Sequence, residues 1–188
     1  YFEDQLSRSD SIGGSHGFGD RLDMRVAMGE GFGNALAGIL LQDPVYIDTS
    51  GAGQANGFGF SVEQRFAGED GWWDEYAVQA LLYDIHDTTA DSAEDVTALP
   101  WTTLLETFTS FNYRRHPSLT SIHTYLERLK ADNPDQATAL TALADSYAID
   151  STDGFGSNET NSPGDEVNNP NTDSLPVYET IVADGNPV

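Results

Sequence analysis

The residue with the most chemical potential in this sequence is Glu30, set in the run Gly29-Glu30-Gly31-Phe32-Gly33-Asn34-Ala35. A carboxylate among glycines and apolar residues on a helix is expected to turn toward a packed face. There an unpaired charge costs several kcal/mol, so it needs a partner. Arg21 or Arg25 would serve as a structural partner, and a metal ion as a functional one. His16 lies upstream in Gly13-Gly14-Ser15-His16-Gly17, a glycine loop leading into the same helix. It could line one cleft with Glu30 and stabilise an oxyanion, or simply bond to backbone.

The other histidines offer less. His86 ends a helical pattern, where it could cap the helix, His116 precedes Pro117 in a basic turn, and His123 stands among apolar neighbours as a core side chain. No two histidines have the i, i+4 spacing of a ligand pair. Ser11, His16 and Asp20 do not make a persuasive triad, because no GxSxG elbow presents the serine. Trp72-Trp73-Asp74-Glu75 opens a helix whose early acids complement its dipole. Asp150-Ser151-Thr152-Asp153-Gly154 has part of a calcium-loop pattern, but turn chemistry accounts for it better.

The elements that must carry these residues read as helices. Asp20 is placed to cap a helix from Arg21 to about Leu41, although four internal glycines weaken it and call for a packing reason. Pro44 and the alternation Phe58, Phe60, Val62 suggest a loop with a short hairpin. A second helix is expected over 71–87, with Ala77, Val78, Leu81, Leu82 and Ile85 as its apolar stripe. Three more are expected at 100–110, 118–130 and 134–148, with Ser118 capping one and Asn133-Pro134 opening another. The class is mainly α, with a helical domain over 1–148 and an irregular acidic extension over 149–188 that holds one strand-like run at 175–182.

Composition narrows the partners. The 188 residues carry 31 Asp and Glu against 8 Lys and Arg, a formal charge of -23, and the one lysine is Lys130. So acidic a surface is self-repelling and fits a salt-adapted protein, with a calcium-loaded secreted protein as the alternative. Nucleic acid and anionic membranes are poor partners for it. There is no cysteine, hence no disulfide. The start at Tyr1-Phe2-Glu3-Asp4, without an initiating Met or a signal peptide, reads as the middle of a longer protein, with 1–7 as the last turns of a helix.

GEGFGNA resembles the downstream glutamate helix of the gluzincin metallopeptidases, the group that includes thermolysin and fungalysin. The run SRSDSIGG, HG, GDRLDMRVA, GEGFGNA is similar to the stretch directly downstream of HExxH in certain secreted, largely uncharacterised bacterial members. The likeness covers residues 1–90, and more loosely LYDIHD and GFGSNETN. The resemblance implies the helical C-terminal subdomain of a zincin-like metallopeptidase, secreted and acting on peptides. Glu30 would be the third zinc ligand, His16 an auxiliary catalytic group, and Glu75 or Asp84 would support the ligands from behind. HExxH itself is absent from the sequence, and with it two zinc ligands and the general base. The chain alone is therefore expected to be inactive, its natural partner being an upstream HExxH-bearing segment. The alternative is a binding or structural module that keeps the peptidase fold without catalysis.

Overall fold

The computed structural model describes residues 6–8, 10, 12–17, 19–65, 70–89, 92–160 and 177. Among these residues about 47% are helical, in six helices beside one small antiparallel sheet, so the mainly α class holds only loosely. In order they form α1 (Met24–Leu41), β1 (Val45–Ser50), a 3-10 turn (Ala52–Gln54), β2 (Asn56–Ser61), α2 (Glu75–Asp84), α3 (Trp101–Thr109), α4 (Phe111–Arg114), α5 (Ile122–Asp132), a 3-10 turn (Pro134–Gln136) and α6 (Ala137–Ser146).

α2 is the axis of the core. Every residue from Tyr76 to Asp84 is buried, so this helix has no solvent face instead of the single stripe expected. Its one amide, Gln79, is satisfied from both sides: Asn34 donates to its Oε1 at 3.0 Å, and its Nε2 donates to the Val62 carbonyl at 3.2 Å. Asp74 caps the helix by accepting from the backbone N–H groups of Tyr76 and Ala77.

α1 packs along α2, and its glycines are the reason the two can approach. A Cβ on Gly31 would lie 2.8 Å from Val78 Cγ1 and 2.9 Å from the Glu75 carbonyl oxygen. The packing need expected of the glycines is met at Gly31 and at Gly38, where a Cβ would lie 3.0 Å from the Tyr83 ring. Around this pair α3, α5 and α6 close the core through Leu104, Phe108, Tyr125, Leu126, Leu129, Leu140 and Leu143.

Several boundaries differ from the sequence-based expectation, each for a local reason. α1 begins at Met24 with Asp23 as its cap, because the Leu22 N–H is taken by the Trp73 carbonyl. Asp20 instead accepts from the Gly17 N–H and closes the glycine loop. α5 begins at Ile122 with Ser121 as its cap. Ser118 is held elsewhere, its carbonyl by Arg8 and its hydroxyl by His116. Asn133 contributes no capping bond; its amide donates back to the Leu129 carbonyl.

The hairpin is fully formed, with register Val45↔Ser61, Tyr46↔Phe60 and Ile47↔Gly59. Residues beyond α6 wrap the helices. Ile149, Ser151 and Thr160 are buried, Trp72 Nε1 donates to the Thr160 carbonyl at 3.3 Å, and Lys130 bonds Ser151. The 175–182 run, apart from Val177, and Tyr1 to Gln5 lie outside the described residues.

Candidate functional site

The glycine loop and the N-terminus of α2 bring two distant side chains into contact. His16 Nε2 lies 2.8 Å from Glu75 Oε2, and its Nδ1 lies 3.0 Å from the Gly14 carbonyl oxygen. Both residues are largely sheltered from solvent. The Gly14 carbonyl, then the charges of Glu75 and Glu30, hold the His16 imidazole above its usual pKa. The ring therefore leans toward the cation, with both N–H groups donating. Burial raises the Glu75 carboxyl despite the opposing pull of His16.

Glu30 stands on α1 beside this pair, close enough for its charge to act on His16, Glu75 and the Tyr46 phenol. The expectation that Glu30 turns into the core is corrected here. It is exposed, while its neighbour Gly31 is buried against α2. Successive helix positions lie about 100° apart, so only one of the two can face the partner helix, and the close approach requires the glycine there. Among the described residues Glu30 makes no hydrogen bond or ion pair. The two arginines considered as partners turn elsewhere: Arg25 chelates Asp23, and the Arg21 guanidinium lies 5.4 Å from the Trp73 ring centre.

Tyr46 completes the cluster from the hairpin. Its hydroxyl donates to Asp48 at 3.1 Å, and its ring stacks on Phe60, which meets Tyr76 edge-on. No local pattern singles Tyr46 out, since only the fold of the hairpin back over α1 and α2 brings it there. Glu75 was legible as an early helix acid, but its bond to His16 spans 59 residues and leaves no local pattern.

The remaining candidates separate from this site. Asp84 is buried and accepts from the Tyr147 hydroxyl. His86 Nδ1 bonds the Leu99 carbonyl, tying a loop to its helix where a helix cap was expected. His123 is a fully buried core residue, as expected. Asp150 and Asp153 spend their carboxylates on the N–H groups of Thr152, Phe155 and Ser157, which is turn chemistry. Ser11 lies outside the described residues, and Asp20 is engaged with Gly17.

Among the described residues no group of three or more His, Cys, Asp or Glu side chains could hold a metal ion. No helix there is long and apolar enough to cross a membrane. The donor set of the cluster suits one metal ligand: Glu30 has an open carboxylate, whereas both His16 nitrogens are engaged. The chain matches no family model, no curated protein and no solved structure.

Proposed function

We propose that this chain is the downstream part of a gluzincin-like zinc peptidase, in which Glu30 supplies one zinc ligand and His16 an auxiliary positive charge. The reading rests on one observation: the His16–Glu75 pair, at 2.8 Å, lies in the field of an exposed carboxylate that has no partner of its own among the described residues. A surface carboxylate with no bond is free to serve as a ligand, and zinc bound there would lower the pKa of its water to about 7. Two further ligands and the general base would come from an upstream HExxH-bearing segment packed over this end of α1 and α2. Glu75 and the Gly14 carbonyl fix the His16 ring and favour its cationic form, which is what a developing oxyanion requires nearby. Gly31 lets α1 lie close enough to α2 for Glu30 to share that neighbourhood. The protein so read is secreted and acts on peptides, from a salt-adapted source. The chain alone is inactive, with zinc held only in the whole protein.

The test is metal content. Purified together with its natural upstream segment, the protein should hold about one zinc per chain, and Glu30→Gln should reduce this at least about tenfold in affinity. The 188-residue chain alone should bind zinc weakly and leave casein intact. Equal zinc retention by Glu30→Gln makes Glu30 a structural surface residue and removes the proposal. An upstream segment without HExxH, together with no zinc, assigns the chain to a non-catalytic module of the same fold.

A further inference from the structure

The hairpin beside the cluster has a backbone edge with no strand partner, on which the N–H groups of Val45 and Thr49 donate only to nearby carboxylates, Asp43 at 2.9 Å and Asp48 at 2.6 Å. β1 pairs with β2 in a two-stranded sheet, so the side of β1 turned away from β2 has no strand partner among the described residues. An unpaired edge is a template for a further strand. Its side chains are also open: Ile47 is 77% exposed and Val45 46%. Opposite them on the same face stand Gly59 and Ser61, so few side chains cover that face from across the sheet.

Charge says what fits. From Val26 to Gln64 the sequence contains no Lys or Arg and four carboxylates, Glu30, Asp43, Asp48 and Glu63. The flanking arginines are committed, Arg25 to Asp23 and Arg65 to Asp70. A second copy of this chain would bring the same four carboxylates and a formal charge of -23 against this edge, so self-pairing is opposed. An extended peptide bearing lysine or arginine is favoured.

We propose that the outer edge of β1 captures an extended cationic peptide segment as an added strand, its apolar side chains against Val45 and Ile47 and its cations among Asp43, Asp48 and Glu63. The carbonyls of the added strand replace the Asp43 and Asp48 side chains on the Val45 and Thr49 N–H groups, which gives affinity, and the carboxylates so released meet its cations, which gives selectivity. Tyr46 lies on this strand and also beside Glu30 and Glu75, so a captured segment runs past the cluster of the proposed site. The inference does not depend on zinc.

The experiment uses the whole 188-residue chain, without metal and at one fixed ionic strength at which circular dichroism shows it folded. The probes are fluorescein-labelled heptapeptides of alternating Lys and Val, the same with Glu for Lys, and the Lys peptide N-methylated at alternate amides. Fluorescence anisotropy should give binding of the Lys peptide at least about tenfold tighter than either other probe, and amide shifts in NMR should centre on 45–50. The variant Asp43→Asn/Asp48→Asn/Glu63→Gln, confirmed folded, should lose that preference for the Lys peptide. Equal binding of the N-methylated peptide reduces the effect to general charge attraction and overturns the proposal. So do amide shifts centred elsewhere, or a concentration-dependent dimer that Ile47→Lys dissolves. Peptide capture by a protein that takes up no zinc leaves this inference standing and removes only the peptidase reading; zinc uptake without capture does the reverse.

Discussion

Gly31 lies directly against Glu75: a methyl group at position 31 would sit 2.9 Å from the Glu75 carbonyl oxygen and 2.8 Å from Val78 Cγ1. Neither neighbour is free to retreat, because one is helix backbone and the other a fully buried side chain of α2. The contact sets the distance between α1 and α2, and with it the distance from Glu30 to the His16–Glu75 pair.

Gly31→Ala should therefore destabilise the fold by about 1–3 kcal/mol, the usual cost of overpacking, despite the better helix propensity of alanine. Gly33→Ala is the matched control, since nothing lies within 4 Å of a Cβ there. It should be stabilising by about 0.5–1 kcal/mol, as alanine is in an open helix position. Urea denaturation of both variants measures the difference. Equal midpoints for the two would mean that the helices are not set by this contact.

Acid stability should depend on His123. Burial holds its imidazole down at about 4, with Nδ1 donating to the Asp150 carbonyl at 2.9 Å and Nε2 without a hydrogen-bond partner. The unfolded chain takes up a proton near pH 6.5 and the folded chain does not. The stability from this residue is complete above pH 6.5 and is lost as pH falls from there toward 4, by an amount on the order of 2–3 kcal/mol. Glu159, raised by burial to about 7, and Asp74, raised by burial to about 6, act in the opposite sense. Folding favours their protonated forms, so their cost at neutral pH is relieved in acid. The contribution of His123 is isolated by subtracting the curve of His123→Asn, which keeps a donor for Asp150. The wild-type advantage should shrink between pH 6.5 and 4; a constant difference over that range would show that the ring is not held neutral.

Legibility in the sequence differs by element. Helical periodicity located α1, α3, α5 and α6, which bury one face, and the apolar run of α2 located that helix although it is buried all round. Caps were misplaced where a distant group took the competing bond, as Trp73 does at Leu22 and Arg8 at Ser118. His16 and Glu30 were legible from their glycine settings. Their relation to Glu75 and Tyr46 was not, since it depends on how a loop, two helices and a hairpin meet. Glu30 was expected to face inward because apolar neighbours surround it in sequence. The packing need belonged to Gly31, and a helix cannot point both residues the same way.

The few cations of this chain are spent on single aspartates, backbone carbonyls, hydroxyls and rings, which leaves its carboxylates unbalanced. Arg8, Arg25, Arg65 and Arg128 each pair with an aspartate no more than five residues away. Arg114 donates to the Ser7 carbonyl, Arg115 lies over the Phe111 ring, and Lys130 bonds Ser151. These bonds fasten loops and turns, and 8 cations cannot balance 31 carboxylates, so a formal charge of -23 remains. Repulsion between exposed charges is long-ranged and is removed by counter-ions, the Debye length shrinking from about 10 Å at 0.1 M salt to about 3 Å at 1 M. The thermal midpoint should rise by at least about 5 °C from low salt to molar KCl, the shift that about 2 kcal/mol produces in a chain of this size. The shape of the curve identifies the cause. Screening saturates, so most of the rise should come below about 0.5 M, whereas strengthening of apolar burial by an excluded salt keeps growing with concentration. A midpoint that is flat below about 0.5 M, or that falls, would show that carboxylate repulsion does not limit this fold and would end the salt-adapted reading of its composition.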